Sequence, residues 1–216
     1  MSTPIQCISP IDGSVYVQRT TLSLEAAREA VARAKNAQPD WAALPLSERV
    51  QRVRDGIARL GDMNDDIVEK LAWQMGRPVR YGGEFGGVDE RAGMMADLAE
   101  EGLAPIEIEN SASFHRYIQR EPHGAVLVVA PWNYPYMTAV NTVVPALIAG
   151  NAVFLKHASQ TPLVGEHMAE AFHAAGVPSE IFQNVCLSHA PTSALIAEKP
   201  FGFVNFTAPV TGGAAY

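Results

Sequence analysis

The sequence predicts an α/β protein: an incomplete doubly wound parallel sheet, preceded by helices and a β-hairpin. Three observations carry that prediction. Two short apolar runs, Ala125-Val126-Leu127-Val128-Val129-Ala130 and Ala152-Val153-Phe154-Leu155, lack alternation, as strands buried on both faces do. Between them Val140, Val143, Val144 and Leu147 fall at helical spacing, and Gly150-Asn151 stops the segment. Upstream, residues 23–103 carry apolar stripes with a period of three to four. The first two features make a β-α-β unit, whose ligands bind beyond the carboxyl ends of the strands. Asn133 and Lys156 fall there.

Taken in order, residues 1–20 read as extended or looped, with Asp12-Gly13 as a turn. Ser23 is an N-cap candidate for a helix carrying Leu24, Ala27, Val31 and Ala34 on one face. Pro39 is expected to end it, leaving Trp41 in a connector. Ser47 is the expected cap of a second helix, with Val50, Val53, Ile57 and Leu60 as its core stripe and Gly61 as its end. A third helix starts near Asn64 and stops at Gly76 and Pro78. A fourth is expected over 84–103 despite three internal glycines, each of which weakens it. Alternation in Ile106-Glu107-Ile108-Glu109, a turn at 110–113 and a return over 114–120 give the hairpin. After the central unit come a helix over 163–175, strands over 181–187 and 202–207, and a helical link around 192–198. The expected organisation is therefore a helical part (1–103), a hairpin (104–123) and a β-α-β core (124–216), all in one cofactor-binding unit.

Composition narrows the class. The chain has 216 residues, 48% hydrophobic and 18% charged, which suits a globular α/β protein. A net charge of −7 speaks against nucleic acid or an anionic membrane as partner. The start has neither the charged region nor the apolar core of a signal peptide, and no apolar run approaches about 18 residues, so a cytoplasmic location is expected. Cys7 and Cys186 have no CxxC spacing. Cys7 is expected near an exposed terminus, and Cys186 as a buried, inert thiol inside an apolar strand. His167 and His173 do not share a helix face, and no metal site is expected.

Two motifs at strand ends, Pro131-Trp132-Asn133-Tyr134-Pro135 and the run GNAVFLKHASQTP over 150–162, resemble the aldehyde dehydrogenase superfamily. WQMGRP at 73–78 and FVNFT at 203–207 extend the likeness over nearly the whole chain. The resemblance implies a Rossmann-like fold and NAD or NADP as cofactor, with an aldehyde oxidised to a carboxylic acid. It implies that Asn133 donates to an oxyanion and that Lys156, in the KxxxxTP pattern, binds the cofactor ribose. It also implies oligomerisation through the hairpin. The family's catalytic cysteine and glutamate base lie after the motifs present here. The chain is accordingly expected to be the amino-terminal portion of such an enzyme, inactive alone, prone to associate or aggregate, with the catalytic domain elsewhere. The alternatives are a truncated, non-catalytic nucleotide-binding or interaction module and a generic flavodoxin-like regulatory domain.

Each site residue also has a plainer reading. Asn133 supplies a neutral amide donor suited to a developing negative charge, or it only shapes the turn between two prolines. Trp132 and Tyr134 are walls, Trp132 on the cofactor side. Lys156 suits ribose or phosphate, or is a solvated strand end. Ser159 stands where many family members have a glutamate that accepts from ribose hydroxyls; a serine tolerates a 2′-phosphate, which favours NADP or dual use. Its alternative is a loop serine. The family's FTGS pattern and later pyrophosphate-facing glycine appear here as Phe206-Thr207-Ala208-Pro209, with Gly213 as the candidate. Ala208 and Pro209 put that contact in doubt, as does the short helix expected over 210–216.

Overall fold

A computed structural model describes residues 4–213. Strands β1 (Ile5–Ile8) and β2 (Val15–Arg19) come first, then helices α1 (Leu24–Ala43), α2 (Leu46–Asp62) and α3 (Asn64–Met75). A 3-10 turn, Val79–Tyr81, leads to α4 (Phe85–Asp97) and α5 (Ala99–Leu103). β3 (Ile106–Asn110) and β4 (His115–Ile118) form the hairpin. The core follows as β5 (Ala125–Val129), α6 (Pro135–Ile148), β6 (Ala152–Lys156), α7 (Pro162–Ala174), β7 (Phe182–Asn184), α8 (His189–Ala197), β8 (Phe203–Phe206) and α9 (Val210–Gly213).

β5, β6, β7 and β8 make one parallel sheet in the order β7-β6-β5-β8. Every residue of β5 and β6 is buried, which explains their unbroken apolar sequence. α1 packs on β5, β6 and α8, while α2, α4, α6 and α7 pack against one another. These helices and the sheet share a single large apolar core. The α/β architecture, the leading helices and the hairpin are as the sequence predicts.

Several local expectations need correction. Of the extended or looped reading of the first twenty residues, the extended alternative holds, with the turn at Asp12-Gly13: β1 and β2 form an antiparallel ribbon, whose Cys7 and Val17 are paired and form a small core with Leu163. Cys7 is thus fully buried rather than near an exposed end, and its thiol donates to the Gln160 carbonyl at 3.0 Å. α1 runs through Pro39 to Ala43, because burying Trp41 outweighs the one backbone hydrogen bond a proline forgoes. α2 begins at Leu46, with Ser47 already inside and Pro45 as the cap residue, whose carbonyl accepts from the amides of Glu48 and Arg49. It ends one residue beyond Gly61, at Asp62. The segment 84–103 breaks at Leu98 into α4 and α5. β7 is only three residues long, so Cys186 lies outside it and is half-buried rather than sealed in a strand. Of the helix expected over 210–216, the first four residues form α9, and 214–216 lie outside the described residues.

Candidate functional site

Register sets the site. Val129 of β5 pairs with Lys156 of β6 on one side and with Phe206 of β8 on the other, so three strands end level. The Ala130 amide donates to the Lys156 carbonyl at 3.1 Å, and the Thr207 amide to the Val129 carbonyl at 3.1 Å. The chain leaving each strand therefore opens over the same carboxyl edge. A cleft of about 550 Å³ lies there, lined by Val129–Asn133, Lys156, Ala158–Gln160, His189 and 206–209. Asn133, Trp132, Lys156 and Ser159, drawn from separate points in the sequence, all line it. Gly213 does not; it stands at the end of α9 near the Phe206 ring. Ala208 and Pro209 line the cleft where a glycine would give a phosphate the closest approach.

Lys156 is buried to 8% exposure, and among the described residues its ammonium has no hydrogen-bond or ion-pair partner. Burial lowers its pKa from the ordinary lysine value. An unpaired cation at the floor of a cleft is a ready site for an oxygen-rich ligand. Beside it, His157 is held neutral. Its Nδ1 accepts from the Ala158 amide at 3.0 Å and sits 3.2 Å from the Thr161 hydroxyl, while Nε2 lies 3.4 Å from the Pro135 carbonyl. Full burial pushes its pKa down to about 4. His157 is thus a fixed strut between β6 and the start of α6, not a proton carrier near neutral pH.

The turn 131–134 is presented by other residues that the sequence reading passed over. Glu84, almost wholly buried, takes the Arg77 guanidinium at 2.6 Å and the Met137 amide at 2.8 Å. Arg77 in turn donates to the Asn133 carbonyl at 3.0 Å. A visible signal was one carboxylate inside a glycine-rich run, Gly82-Gly83-Glu84-Phe85-Gly86-Gly87.

A second, smaller cavity of about 90 Å³ is lined by Arg19, Thr20, Ser159, Glu166 and Cys186 among others, so Ser159 borders both. Arg19 and Glu166 form a two-point pair there at 2.6 and 2.8 Å. Partial burial raises the Cys186 thiol pKa, and neither cysteine lines the larger cleft. Among the described residues no cluster of His, Cys, Asp and Glu could hold a metal, and no helix is long and apolar enough to cross a membrane.

A cleft at level strand ends, with an amide and a lone ammonium, fits the motifs that suggested a family. The profile of the aldehyde dehydrogenase family matches residues 1–215. The chain belongs to that family. An N-succinylglutamate 5-semialdehyde dehydrogenase of Novosphingobium aromaticivorans is 30% identical over 188 residues, 87% of this chain and 40% of the relative. An NAD-dependent benzaldehyde dehydrogenase from Corynebacterium glutamicum superposes with a TM-score of 0.86 at 26% identity, covering 99% of this chain and 46% of that one. A succinic semialdehyde dehydrogenase from Streptococcus pyogenes, solved with NADP+, gives a TM-score of 0.86 at 27% identity, with coverage of 98% and 47%. This aldehyde dehydrogenase chain thus spans less than half the length of the relatives it matches.

Proposed function

We propose that the cleft is the cofactor and oxyanion side of an NAD(P)-dependent aldehyde oxidation. The observation that carries this reading is that Asn133 and Lys156 line one cleft at the carboxyl ends of adjacent strands. The residues fit a nicotinamide dinucleotide: Lys156 offers a cation without a protein partner at the cleft floor, Ser159 a hydroxyl, and Trp132, Ala130 and Phe206 apolar walls. NADP or dual use is favoured, because the cleft position held by Ser159 carries no carboxylate. The cofactor, when bound, accepts a hydride from the substrate. This chain's own residues bind and orient it: Lys156 toward ribose hydroxyls or phosphate and Trp132 as a wall, whereas Gly213, outside the cleft lining, is given no pyrophosphate contact. Asn133 stabilises the negative charge that grows on the carbonyl oxygen, and its neutral amide does so at any working pH.

The thiolate and the general base belong, in this proposal, to the part of the family's length that this chain does not span. The substrate class is an aldehyde. The apolar residues exposed on the hairpin, among them Ile108 and Tyr117, support self-association, and the composition supports a cytoplasmic setting. The test is Asn133→Ala in the catalytically complete polypeptide. A loss of about 10²–10³ in kcat is expected; an unchanged kcat overturns the oxyanion assignment.

A further inference from the structure

Glu84 spends its two oxygens on different tasks. Its side chain is 3% exposed; Oε1 accepts from Arg77 Nη1 at 2.6 Å, and Oε2 accepts from the Met137 amide at 2.8 Å. Met137 lies in the first turn of α6, whose cap residue, Tyr134, supplies no side-chain hydrogen bond. Glu84 therefore caps α6 from 53 residues away in sequence. Arg77 uses its other terminal nitrogen on the Asn133 carbonyl at 3.0 Å, and its guanidinium carbon stands 5.3 Å from the centre of the Tyr134 ring. Meanwhile Asn133 is an exposed residue of the cleft lining, and its side-chain amide makes no hydrogen bond among the described residues.

We infer that Arg77 and Glu84 are positioning residues that fix the 132–134 turn, so that the Asn133 amide stays aimed into the cleft. The inference rests on the proposed role of Asn133, which it deepens. Three tasks fall on one guanidinium: a carboxylate, a backbone carbonyl and a ring face. A planar fork can meet them together, whereas an ammonium is a single point. Gly76 delivers Arg77 at the required angle. It has φ 75°, and a Cβ there would sit 3.1 Å from Pro10. The clamp acts on the backbone of the turn, so its loss should misaim Asn133 while leaving the ligands of Lys156 in place.

The experiment uses the catalytically complete polypeptide, with Arg77→Met, Arg77→Lys, Glu84→Gln and Asn133→Ala, and Arg80→Met as a surface control. kcat and both KM values are measured, and 5-fluorotryptophan labelling reports the turn, the Trp132 signal being assigned with Trp132→Phe. Arg77→Met should lower kcat by roughly 10–100-fold, since misplacement of about 1 Å can cost 10²-fold, with KM for the cofactor changing less than about threefold. Arg77→Lys should recover only part of the rate. In the Asn133→Ala background, Arg77→Met should cost little more, as expected of residues acting through one group. The Trp132 resonance should shift or broaden in Arg77→Met and Glu84→Gln but not in Arg80→Met. An equal loss from Arg77→Met with and without Asn133, or an unmoved Trp132 signal, overturns the clamp. Should Asn133→Ala leave kcat intact, the oxyanion reading fails, and the Trp132 signal alone then decides whether Arg77 and Glu84 order the turn.

Discussion

The indole N–H of Trp41 donates to the Leu147 carbonyl at 2.9 Å, joining the last turn of α1 to the last turn of α6. It is one of three such bonds. Arg49 Nε donates to the Ile148 carbonyl at 2.8 Å and Gln38 to the Gly150 carbonyl at 2.8 Å. Side chains of α1 and α2 thus bond carbonyls at and just past the end of α6, where a helix runs out of its own donors. Because α6 begins at the site, the leading helices hold both of its ends: α1 and α2 the carboxyl end, Glu84 the amino end.

Trp41 variants should show this. Trp41→Phe keeps most of the packing and removes one donor from the Leu147 carbonyl, which still accepts from the Gly150 amide at 3.0 Å, so it should cost about 0.5–1.5 kcal/mol. Trp41→Ala adds a large cavity and should cost about 3–5 kcal/mol. Urea unfolding monitored by circular dichroism measures both. A Trp41→Phe protein as stable as the parent would mean the bond contributes nothing.

The same pair shows what was legible in the sequence. Buried strands announce themselves through unbroken apolar runs, so β5 and β6 were visible residue by residue, and so was the convergence of Asn133 and Lys156. Pro39 looked like a helix end because a local rule was applied where a tertiary contact prevails. Cys7 looked exposed because its burial depends on Gln160 and Leu163, more than 150 residues away. The Arg77–Glu84 clamp was hidden for the same reason. Its partners are backbone atoms of a distant turn, which have no signature in side-chain spacing.

His157 makes stability depend on pH. Its folded pKa of about 4 lies below the ordinary 6.5, so the unfolded chain takes up a proton first as pH falls. The resulting stability is fully present above pH 6.5 and is lost progressively down to pH 4, to a limit of about 3 kcal/mol. His157→Gln, which keeps a donor and an acceptor but cannot charge, should flatten the fall in urea midpoint over that window. An undiminished slope in the variant would assign the acid sensitivity to other groups.

Lys156 should reveal a conflict between stability and binding. A lysine buried along most of its length, with no protein partner for its ammonium, is costly, and its lowered pKa says the charged form is disfavoured in the fold. Lys156→Met fills similar space without the charge, so at neutral pH the variant should melt higher than the parent. The cofactor should bind at least roughly tenfold more weakly, the loss of a charged hydrogen-bonding partner being worth about 1.5–3 kcal/mol. Differential scanning fluorimetry and titration calorimetry give the two readouts. A variant that both melts lower and binds normally would show that Lys156 is structural.

Ser159 borders the cleft beside Lys156. Ser159→Glu would place a carboxylate where a 2′-phosphate is proposed to lie. NADP affinity should fall by roughly tenfold or more while NAD affinity changes little, because only NADP carries a phosphate at the 2′ position to be repelled. Equal changes for both cofactors would move the 2′ position elsewhere.

The 216-residue chain alone should not oxidise aldehydes. Such a reaction needs a thiolate near the oxyanion donor, and neither cysteine is placed for it. Cys7, a residue of β1, is fully buried, with its thiol engaged by a backbone carbonyl and its pKa raised by burial. Cys186 borders only the smaller cavity, next to Arg19 and Glu166, and its pKa is raised as well. A thiol so placed is a poor nucleophile, and no cysteine lines the larger cleft. Asn133 without an attacking group has no oxyanion to stabilise. The measurement is reduced-cofactor absorbance with a panel of aldehydes and either cofactor, at high protein concentration. A rate equal to boiled protein is the expected result. Turnover that survives Cys7→Ala and Cys186→Ala yet disappears with Asn133→Ala would require a nucleophile other than a thiolate, drawn from the cleft itself.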